Sequence, residues 1–366
     1  MNYDIVFNPG GAVHFPDLPQ TLFATLEALG GAPPGGAQTQ PAALPGYLLA
    51  KRTRAPLTPD GLASESTASL WHVHDETRQR AITAGVASAG NDVSLLDLKI
   101  ELARRSLTAC DLCELRCGAD RWGGQRGECG SRRDSFYGRC FLNWGEERHL
   151  IPSISIFLGG CNWHCPFCQY PEHLNPAAGR PVEPAELSAR IHRLWQAGGV
   201  NTHWVGGNPD QHLWAVLNVL RACDVPIPVV WNSNGYASDV TLKLLDGVAD
   251  THLMDFRYGS ETCAARYRAG PRAWKAATRN LRQAAGQRCE LIVRHLQLPG
   301  HFECCTTPIL HWLAENLPSA KVNLLNGQYR PAYVAYQFPE IDRRLTPEEK
   351  QRALALAQEL GLELIS

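Results

Sequence analysis

Three cysteines lie close together in the middle of the chain, at Cys161, Cys165 and Cys168. Their spacing, C-x3-C-x2-C, comes directly after an apolar, strand-like run at residues 154–158. Three thiolates in one loop can hold three irons of a cubane iron–sulfur cluster, and the fourth iron then has no protein ligand. An iron with an open coordination position can take part in chemistry instead of only storing electrons. The motif therefore predicts a cluster that has room for one further ligand.

A second set of cysteines lies upstream, at Cys110, Cys113, Cys117 and Cys129, with the spacing C-x2-C-x3-C-x11-C. Four thiolates can form a closed tetrahedral site for zinc or iron, or can hold a second iron–sulfur cluster. Because a closed site has no open position, a structural or electron-relay role is favoured over catalysis. The spacing leaves the metal undecided. We assign residues 106–145 to this metal-binding segment.

The total of 13 cysteines is high, and eight of them fall between Cys110 and Cys168. In a reducing cytosol such a concentration indicates metal or redox sites in preference to disulfides. The cysteines outside the two motifs are Cys140, Cys223, Cys263, Cys289, Cys304 and Cys305, and we interpret most of them as small core residues. Cys140 lies close to the upstream set and could be a further ligand, but core packing is favoured. Cys304 and Cys305 could also supply a hydrogen atom or an extra ligand, but burial is the favoured interpretation.

The composition is that of an ordinary soluble protein, with 44% hydrophobic and 19% charged residues among 366. The 35 basic and 36 acidic side chains nearly cancel, so nothing indicates an electrostatic grip on nucleic acid or on an anionic membrane. The first residues lack the basic and apolar regions of a secretory signal, and no apolar run has the length of a membrane span. We therefore expect a cytoplasmic protein.

Residues 1–105 carry weak signals and no motif that identifies their role. The pattern predicts a helix over 21–29, a Gly-, Pro- and Ala-rich loop over 31–59, and a short strand over 70–74. In such a strand His72 and His74 would share one face. Most histidines outside a recognisable site are not metal ligands, so we do not assign them a metal.

From the central motif onward, strand-like and helix-like segments alternate, which favours a parallel sheet with helices packed outside it. The predicted strands cover 153–158, 202–206, 227–231, 251–256, 290–295 and 321–325. The predicted helices cover 183–197, 211–221, 238–245, 272–285 and 307–316, and a last helix begins with Thr346 as N-cap. Six strands are too few for a closed eight-unit barrel. The fold class is therefore α/β, with a partial (β/α)6 barrel over residues 146–366.

Polar or small residues recur where each predicted strand ends, and in parallel barrels these ends carry the chemistry. The cysteine loop follows the first strand. The later strand ends supply Gly206, Gly207, Asn208, Asn232, Asn234, Asp255 and Arg294. Because the carboxyl ends of parallel strands meet at one edge, we expect these residues to line one cavity.

Over residues 108–361 the chain resembles radical S-adenosylmethionine (radical SAM) enzymes. Within that superfamily it is similar to the group of the pyruvate formate-lyase activating enzyme. The finer similarity includes the four-cysteine segment, the run 230–236, and segments at 294–300 and 328–331. The resemblance implies a partial radical SAM barrel with a [4Fe-4S] cluster on Cys161, Cys165 and Cys168. The fourth iron would bind S-adenosylmethionine, whose reductive cleavage gives methionine and a 5′-deoxyadenosyl radical.

The resemblance also implies cofactor-binding roles for single residues. Phe167 occupies the position that packs against the adenine, and Gly206 and Gly207 match the glycine-rich strand end that contacts the methionyl amino group. Asn208 stands where the family usually has glutamate, so it brings an acceptor oxygen without a charge. Ribose and carboxylate contacts fall to Asn232, Asn234 and Asp255, unless these are ordinary turn and cap residues. Arg294 would hold a carboxylate of the cofactor or the substrate.

The favoured function is hydrogen abstraction from a protein or peptide, as in glycyl-radical activation or peptide modification. An open barrel would leave a mouth wide enough for a polypeptide loop. A radical SAM enzyme acting on a small metabolite and a non-catalytic iron–sulfur sensor are the alternatives. The resemblance further implies an electron donor such as flavodoxin or ferredoxin. No residue is assigned as the catalytic group.

Overall fold

The computed structural model describes residues 44–84 and 92–365. Within these residues nine strands form one sheet, in the order β3-β1-β2-β4-β5-β6-β7-β8-β9. The strands are β1 (Phe136–Asn143), β2 (Ser153–Leu158), β3 (Arg180–Pro181), β4 (Asn201–Gly206), β5 (Val229–Ser233), β6 (Thr251–Asp255), β7 (Glu290–Leu296), β8 (Lys321–Leu325) and β9 (Glu363–Leu364). β2 and β4 to β9 are parallel, whereas β1 pairs with β2 and β3 in antiparallel fashion. The predicted α/β fold with an open, mostly parallel sheet is confirmed.

Helices cover the outer face of the sheet in the described part of the chain. They are α1 (Gly46–Arg52), α2 (Pro59–Ser64), α3 (Thr67–Ala84), α4 (Leu95–Arg105), α5 (Pro184–Gln196), α6 (Leu213–Ala222), α7 (Asp239–Leu245), α8 (Glu261–Arg266), α9 (Ala273–Ala285), α10 (Thr307–Asn316) and α11 (Pro347–Glu359). Thr346 caps α11 as predicted, because its side chain accepts the Glu349 N–H while the Glu349 carboxylate accepts the Thr346 N–H.

The central strands of the sheet are covered on both faces. All six residues of β2 and all five of β5 are buried, including the polar residues Ser153 and Ser155 of β2. Strand β1 was not predicted, since its residues fell within the segment assigned to metal binding. It extends the barrel by one antiparallel strand beside β2.

The helices before residue 106 pack on the outside of the same sheet. Leu96 and Leu98 of α4 belong to one core cluster with Ile156 of β2 and Leu217 of α6. Lys99 of α4 is fully buried, and its ammonium group contacts the carbonyl oxygens of Leu244 and Asp246 at the end of α7. These contacts satisfy carbonyls that a helix end leaves unpaired. The domain boundaries at residues 105 and 145 stay predictions.

Two predictions for the N-terminal region were wrong. Residues 70–74 form part of helix α3 instead of a strand, and the expected loop over 31–59 contains α1. In the helix, His72 is exposed while His74 is buried with Nε2 2.9 Å from Lys99 Nζ. Burial lowers the pKa of His74 to about 3, and the charge of Lys99 acts in the same direction. The helix predicted over 21–29 lies outside the described residues. No helix in the described part of the chain is long and apolar enough to cross a membrane.

Candidate active site

A cavity of about 330 Å³ lies among the loops that follow the parallel strands. All eleven residues that the sequence analysis predicted to hold the central cluster or S-adenosylmethionine line it. They are Cys161, Cys165, Cys168, Phe167, Gly206, Gly207, Asn208, Asn232, Asn234, Asp255 and Arg294. Volumes of a few hundred Å³ are typical of small-molecule and cofactor sites. The structure brings these residues together, while their individual roles stay predictions.

The cysteine loop is clamped to the end of the neighbouring strand. The Gly160 carbonyl accepts the Asn208 N–H at 3.0 Å, and the Leu158 carbonyl accepts the Gly207 N–H at 2.9 Å. A Cβ added at Gly207 would lie only 1.9 Å from the Gly160 oxygen, so glycine is required for this approach. The two backbones therefore fix the position of the cysteine loop relative to β4.

The three cysteines lie among groups that suit thiolates. The Trp163 N–H points to Cys161 Sγ at 3.4 Å, and Cys165 Sγ lies 3.5 Å from the Tyr258 hydroxyl and 3.6 Å from Arg257 Nη1. Burial raises the pKa of the Cys161 thiol, so that thiolate needs a positively charged partner to form. Iron in a cluster supplies that charge, and the donor groups fit the sulfurs of a bound cluster.

The three sulfurs of the central motif are not gathered as tightly as the ligand atoms around one ion. Zn–S bonds of about 2.3 Å place the sulfurs of a tetrahedral ion about 3.8 Å apart. Across residues 44–84 and 92–365, three or more potential ligand atoms lie within 4.8 Å of one another in one group alone, and it contains none of Cys161, Cys165 and Cys168. A cubane is larger than one ion and holds its thiolates further apart. Three cysteines in one loop, with hydrogen-bond donors around Cys161 and Cys165, fit the ligands of a cluster.

An amide network joins the cavity to the cysteine loop. Asn208 Oδ1 accepts the Asn234 N–H at 3.0 Å, and Asn234 Nδ2 donates to Asn162 Oδ1 at 2.7 Å. Asn208 Nδ2 donates to Asp210 Oδ2 at 2.9 Å, and burial raises the pKa of Asp210 to about 6. The Asn208 amide thus organises the strand ends, and its oxygen keeps a second lone pair for a ligand.

Two arginines of the cavity wall are paired with acidic side chains. Arg257 forms an ion pair with Asp255, and Arg294 bonds to Glu146 at 2.5 Å and to Glu147 at 2.6–2.7 Å. Burial alone would raise the pKa of Glu147, but the Arg294 hydrogen bonds and charge outweigh it and lower the pKa to about 2. In this structure, protein carboxylates occupy the Arg294 donors. Its predicted contact with a cofactor or substrate carboxylate stays a prediction.

The four-cysteine segment packs against the loop that follows β5. The Glu114 N–H donates to the Tyr236 carbonyl at 3.1 Å, and Cys113 forms a single antiparallel bridge with Ala237. Cys110, Cys113 and Cys129 are buried and Cys117 is half-buried. As in the central motif, the ligand atoms of these cysteines do not form a group of three or more within 4.8 Å of one another in the described residues. The segment therefore lies beside the strand end that carries Asn232 and Asn234.

Another group of possible ligands escaped the sequence analysis. Cys263, His301, Cys304 and Cys305 bring their ligand atoms within 4.8 Å of one another. Cys263 and Cys305 are buried as predicted, but Cys304 is exposed, so the burial prediction was wrong for that residue. No local spacing signals this group, because 37 residues of chain separate Cys263 from His301. Only the vicinal cysteines were visible as a feature.

The family model described as the Radical SAM superfamily matches residues 155–313. The chain belongs to the radical SAM superfamily. It is 38% identical over 308 residues to the uncharacterized protein MJ0674 of Methanocaldococcus jannaschii, covering 81% of this chain and 89% of that relative. The membership implies a [4Fe-4S] cluster and S-adenosylmethionine, and it makes the chain a radical SAM enzyme.

Two solved structures are similar at low sequence identity. Streptococcus suis SuiB bound to S-adenosylmethionine has 15% identity and a TM-score of 0.43, covering 56% of this chain and 47% of SuiB. This chain thus matches about half the length of SuiB. Methylornithine synthase (PylB) has 12% identity and a TM-score of 0.40, with 83% of each chain covered. The finer similarity to the pyruvate formate-lyase activating enzyme group stays a prediction.

Proposed function

We propose that this radical SAM enzyme holds a [4Fe-4S] cluster on Cys161, Cys165 and Cys168 and abstracts a hydrogen atom from a protein or peptide. When bound, the cluster supplies the electron that cleaves the sulfonium bond of S-adenosylmethionine to methionine and a 5′-deoxyadenosyl radical. The observation that carries the proposal is that the three cysteines and eight further predicted contacts line one cavity. A cavity that excludes water protects a reactive radical from side reactions.

The cavity offers an aromatic wall for the adenine. Phe167 is 2% exposed, and its ring lies edge-on to Tyr267 and Tyr329 at centroid distances of 6.1 and 5.8 Å. Edge-to-face packing of this kind holds a ring in one orientation. A fixed Phe167 ring can then pack against the planar adenine without losing side-chain entropy on binding.

Polar groups of the strand ends would orient the rest of S-adenosylmethionine. Gly206 and Gly207 expose backbone to the cavity. The methionyl ammonium group can donate hydrogen bonds to backbone carbonyls there. Asn232, Asn234 and Asp255 line the same cavity. Their amide and carboxylate groups suit the ribose hydroxyls, and the amide groups also suit the methionyl carboxylate. Asn232 Nδ2 is held 2.9 Å from His203 Nε2, so its orientation is set before a ligand binds.

Exposed aromatic residues around the mouth favour a polypeptide substrate. Tyr170 lines the cavity and is 45% exposed, and Trp144, next to the cavity residue Gly145, is 67% exposed. Tyr333 and Tyr336 are also exposed, in a segment whose Val334 N–H donates to the Pro166 carbonyl beside Phe167. Aromatic side chains are enriched at protein interfaces, and exposed apolar clusters mark binding surfaces. Glycyl-radical activation and peptide modification both fit such a mouth.

The four-cysteine segment is proposed to hold a second metal centre, either zinc, iron or an auxiliary cluster, on Cys110, Cys113, Cys117 and Cys129. Arg121 supports this proposal. Its guanidinium is 1% exposed, lies 3.6 Å from Cys110 Sγ, and otherwise donates to the neutral carbonyls of Arg132 and Gln211. A buried cation needs a negative partner, and a thiolate centre with net negative charge would provide one.

A positively charged groove beside this segment suits an acidic electron donor such as flavodoxin or ferredoxin. The groove has a volume of about 400 Å³ and is lined by five cationic side chains and one carboxylate. The charged residues are Arg116, Arg272, Lys275, Arg279, Arg282 and Glu114. Complementary charge mainly accelerates encounter between redox partners.

The core of the proposal is tested by reductive cleavage. Anaerobically reconstituted, dithionite-reduced protein is incubated with S-adenosylmethionine, and 5′-deoxyadenosine is measured by mass spectrometry. Wild type and the matched variant Cys289→Ala should both form the nucleoside, whereas Cys165→Ala should lose the cluster spectrum and the product. Failure of the reconstituted wild type to form any 5′-deoxyadenosine would refute the proposal.

The substrate class is tested with an extract of cells that make the protein. The extract is divided by dialysis, and each fraction is assayed for stimulation of 5′-deoxyadenosine formation. If the substrate is a protein or peptide, protease treatment of the active fraction should abolish its stimulation of 5′-deoxyadenosine formation. Stimulation that resists protease and passes freely through the membrane would instead assign a small metabolite.

A further inference from the structure

Four side chains on two loops beside the cavity are arranged like the ligands of a single metal ion. Cys263 lies in the first turn of α8, whereas His301, Cys304 and Cys305 lie in the loop between β7 and α10. His301 Nδ1 is 3.1 Å from Cys304 Sγ and 3.9 Å from Cys263 Sγ. Bond lengths of about 2.0 Å to nitrogen and 2.3 Å to sulfur give N···S and S···S edges of about 3.5–3.8 Å in a tetrahedron. All four ligand atoms lie within 4.8 Å of one another, close to these values.

Hydrogen bonding fixes which nitrogen of His301 faces the sulfurs. The Tyr267 hydroxyl donates its one hydrogen to Glu340 Oε1 at 2.7 Å and lies 2.5 Å from His301 Nε2. His301 Nε2–H must therefore be the donor to the tyrosine oxygen, which leaves Nδ1 with a free lone pair. That lone pair points at the sulfur group. A histidine ligand whose other nitrogen is held by a hydrogen bond is the usual arrangement at metal sites.

The backbone around the three sulfurs is tightly packed, which holds the sulfurs close together. Residues Phe302–Thr306 form a short π-helical turn, in which the His301 carbonyl accepts the Cys305 N–H at 3.0 Å and the Thr306 N–H at 3.2 Å. Such turns are rare and occur frequently at functional sites. A Cβ added at Gly259 would lie 2.6 Å from the Cys304 carbonyl and from Cys305 Cα, so the loop after β6 closes directly onto this turn.

We propose that Cys263, His301, Cys304 and Cys305 bind one zinc ion in a closed Cys3His site. Three sulfurs and one imidazole nitrogen are a common ligand set of structural zinc. With four protein ligands the ion has no open position, so it fastens the loop after β6 to the loop after β7. The inference stands apart from the proposed function, because no ligand of this site belongs to the central cysteine motif.

The site is placed to position two tyrosines that pack behind the cavity residues Cys165 and Phe167. Tyr267, which holds His301, stacks on Tyr258 with a centroid distance of 6.2 Å and an interplanar angle of 16°. Tyr258 in turn reaches Cys165, and Tyr267 also packs against Phe167. An ion on the other side of His301 would therefore fix two tyrosines that contact Cys165 and Phe167. Tyr258 and Tyr267 act as positioning residues in this arrangement.

The test measures zinc and iron per chain by inductively coupled plasma mass spectrometry. The full chain is produced in medium containing both metals and purified without added metal. Cys304→Ala, the least buried position, and Cys263→Ser should each contain one zinc ion fewer than wild type, with iron unchanged. Cys289→Ser is the matched control and should keep the wild-type zinc content. Equal zinc in all four proteins would overturn the proposal.

A second measurement needs no variant that removes a ligand. Cobalt-loaded wild type should show thiolate-to-metal absorption and tetrahedral d–d bands. In competition with a chelator, Tyr267→Phe should bind zinc about 10–100-fold more weakly than wild type, because the substitution removes the hydrogen-bond partner of His301. A disulfide would appear as two fewer titratable thiols together with the absence of zinc, and that result would also overturn the proposal.

Discussion

The hydroxyl of Tyr258 lies 3.5 Å from the sulfur of Cys165. When Cys165 is a cluster thiolate, its sulfur has no hydrogen, so the Tyr258 hydroxyl is the donor of this pair. Hydrogen bonds to cluster sulfurs raise the reduction potential of the cluster. Tyr258→Phe should therefore lower the potential by about 20–60 mV, which corresponds to about 0.5–1.5 kcal/mol for one hydrogen bond and one electron. A potentiometric titration followed by electron paramagnetic resonance measures the shift.

Tyr329→Phe is the control for that measurement. Tyr329 lines the same cavity, but its hydroxyl donates to the Ile341 carbonyl at 2.7 Å. Removing this hydroxyl should leave the potential unchanged. An equal shift in both variants would show that general loss of polarity, and not the bond to Cys165, sets the potential.

The contact between Gly207 and Gly160 predicts a large effect of one methyl group. A Cβ at Gly207 would meet the Gly160 oxygen at 1.9 Å, and this backbone cannot move without displacing the cysteine loop. Gly207→Ala should lower the free energy of unfolding by about 2–3 kcal/mol and reduce the iron bound after reconstitution. Gly327→Ala, where an added Cβ meets nothing within 4 Å, should change neither quantity. Urea denaturation and iron analysis provide the comparison, and equal behaviour of the two variants would contradict it.

The sequence predicted the barrel well because its signals are local. Ser153–Leu158 and Lys321–Leu325 were predicted with their observed bounds, since each is a short segment in which most residues are Ile, Val, Leu or Phe. The gathering of the cavity residues followed from the same periodicity, because all carboxyl ends of parallel strands meet at one edge. Once the ends of the strands are predicted, the position of each cavity residue at the edge of the sheet follows from the register of its strand.

Other features depend on contacts that no local pattern encodes. The helix at 70–74 was mistaken for a strand because its alternation of histidines with apolar residues spans only five positions, too few to separate the two periods. The pairing of Arg294 with Glu147 joins residues 147 positions apart. The site formed by Cys263 and His301 likewise requires the loops after β6 and β7 to meet. Such relationships arise from tertiary packing and become visible only in the fold.

The Glu147–Arg294 pair predicts a specific dependence of stability on pH. The pKa of Glu147 is about 2 in the folded protein against 4.5 as the ordinary value. A carboxylate with a lowered pKa stabilises the folded state above the ordinary value, and this contribution is lost as the pH falls from 4.5 towards 2. The shift corresponds to about 3 kcal/mol. Wild type should therefore exceed Glu147→Gln by roughly this free energy of unfolding at pH 7, and the difference should shrink below pH 4.5.

Denaturant titrations at several pH values between 7 and 3 measure this difference. The exposed Glu359, changed to glutamine, serves as the control and should give a difference from wild type much smaller than that of Glu147→Gln at pH 7. A difference between wild type and Glu147→Gln that stays constant down to pH 3 would contradict the prediction.

The positively charged groove predicts how the enzyme receives electrons. Arg272 and Lys275 line it, so reversing both charges (Arg272→Glu with Lys275→Glu) should slow reduction of the cluster by flavodoxin about tenfold or more at low ionic strength, because charge complementarity accelerates encounter. Reduction by dithionite, which needs no docked protein, should keep its wild-type rate, and added salt should narrow the gap between wild type and variant. Lys350→Glu on α11 reverses a charge of the same sign outside the groove and controls for charge reversal elsewhere on the surface. Stopped-flow absorbance measures each rate; equal slowing by the groove variant and by Lys350→Glu would remove the groove as the docking surface.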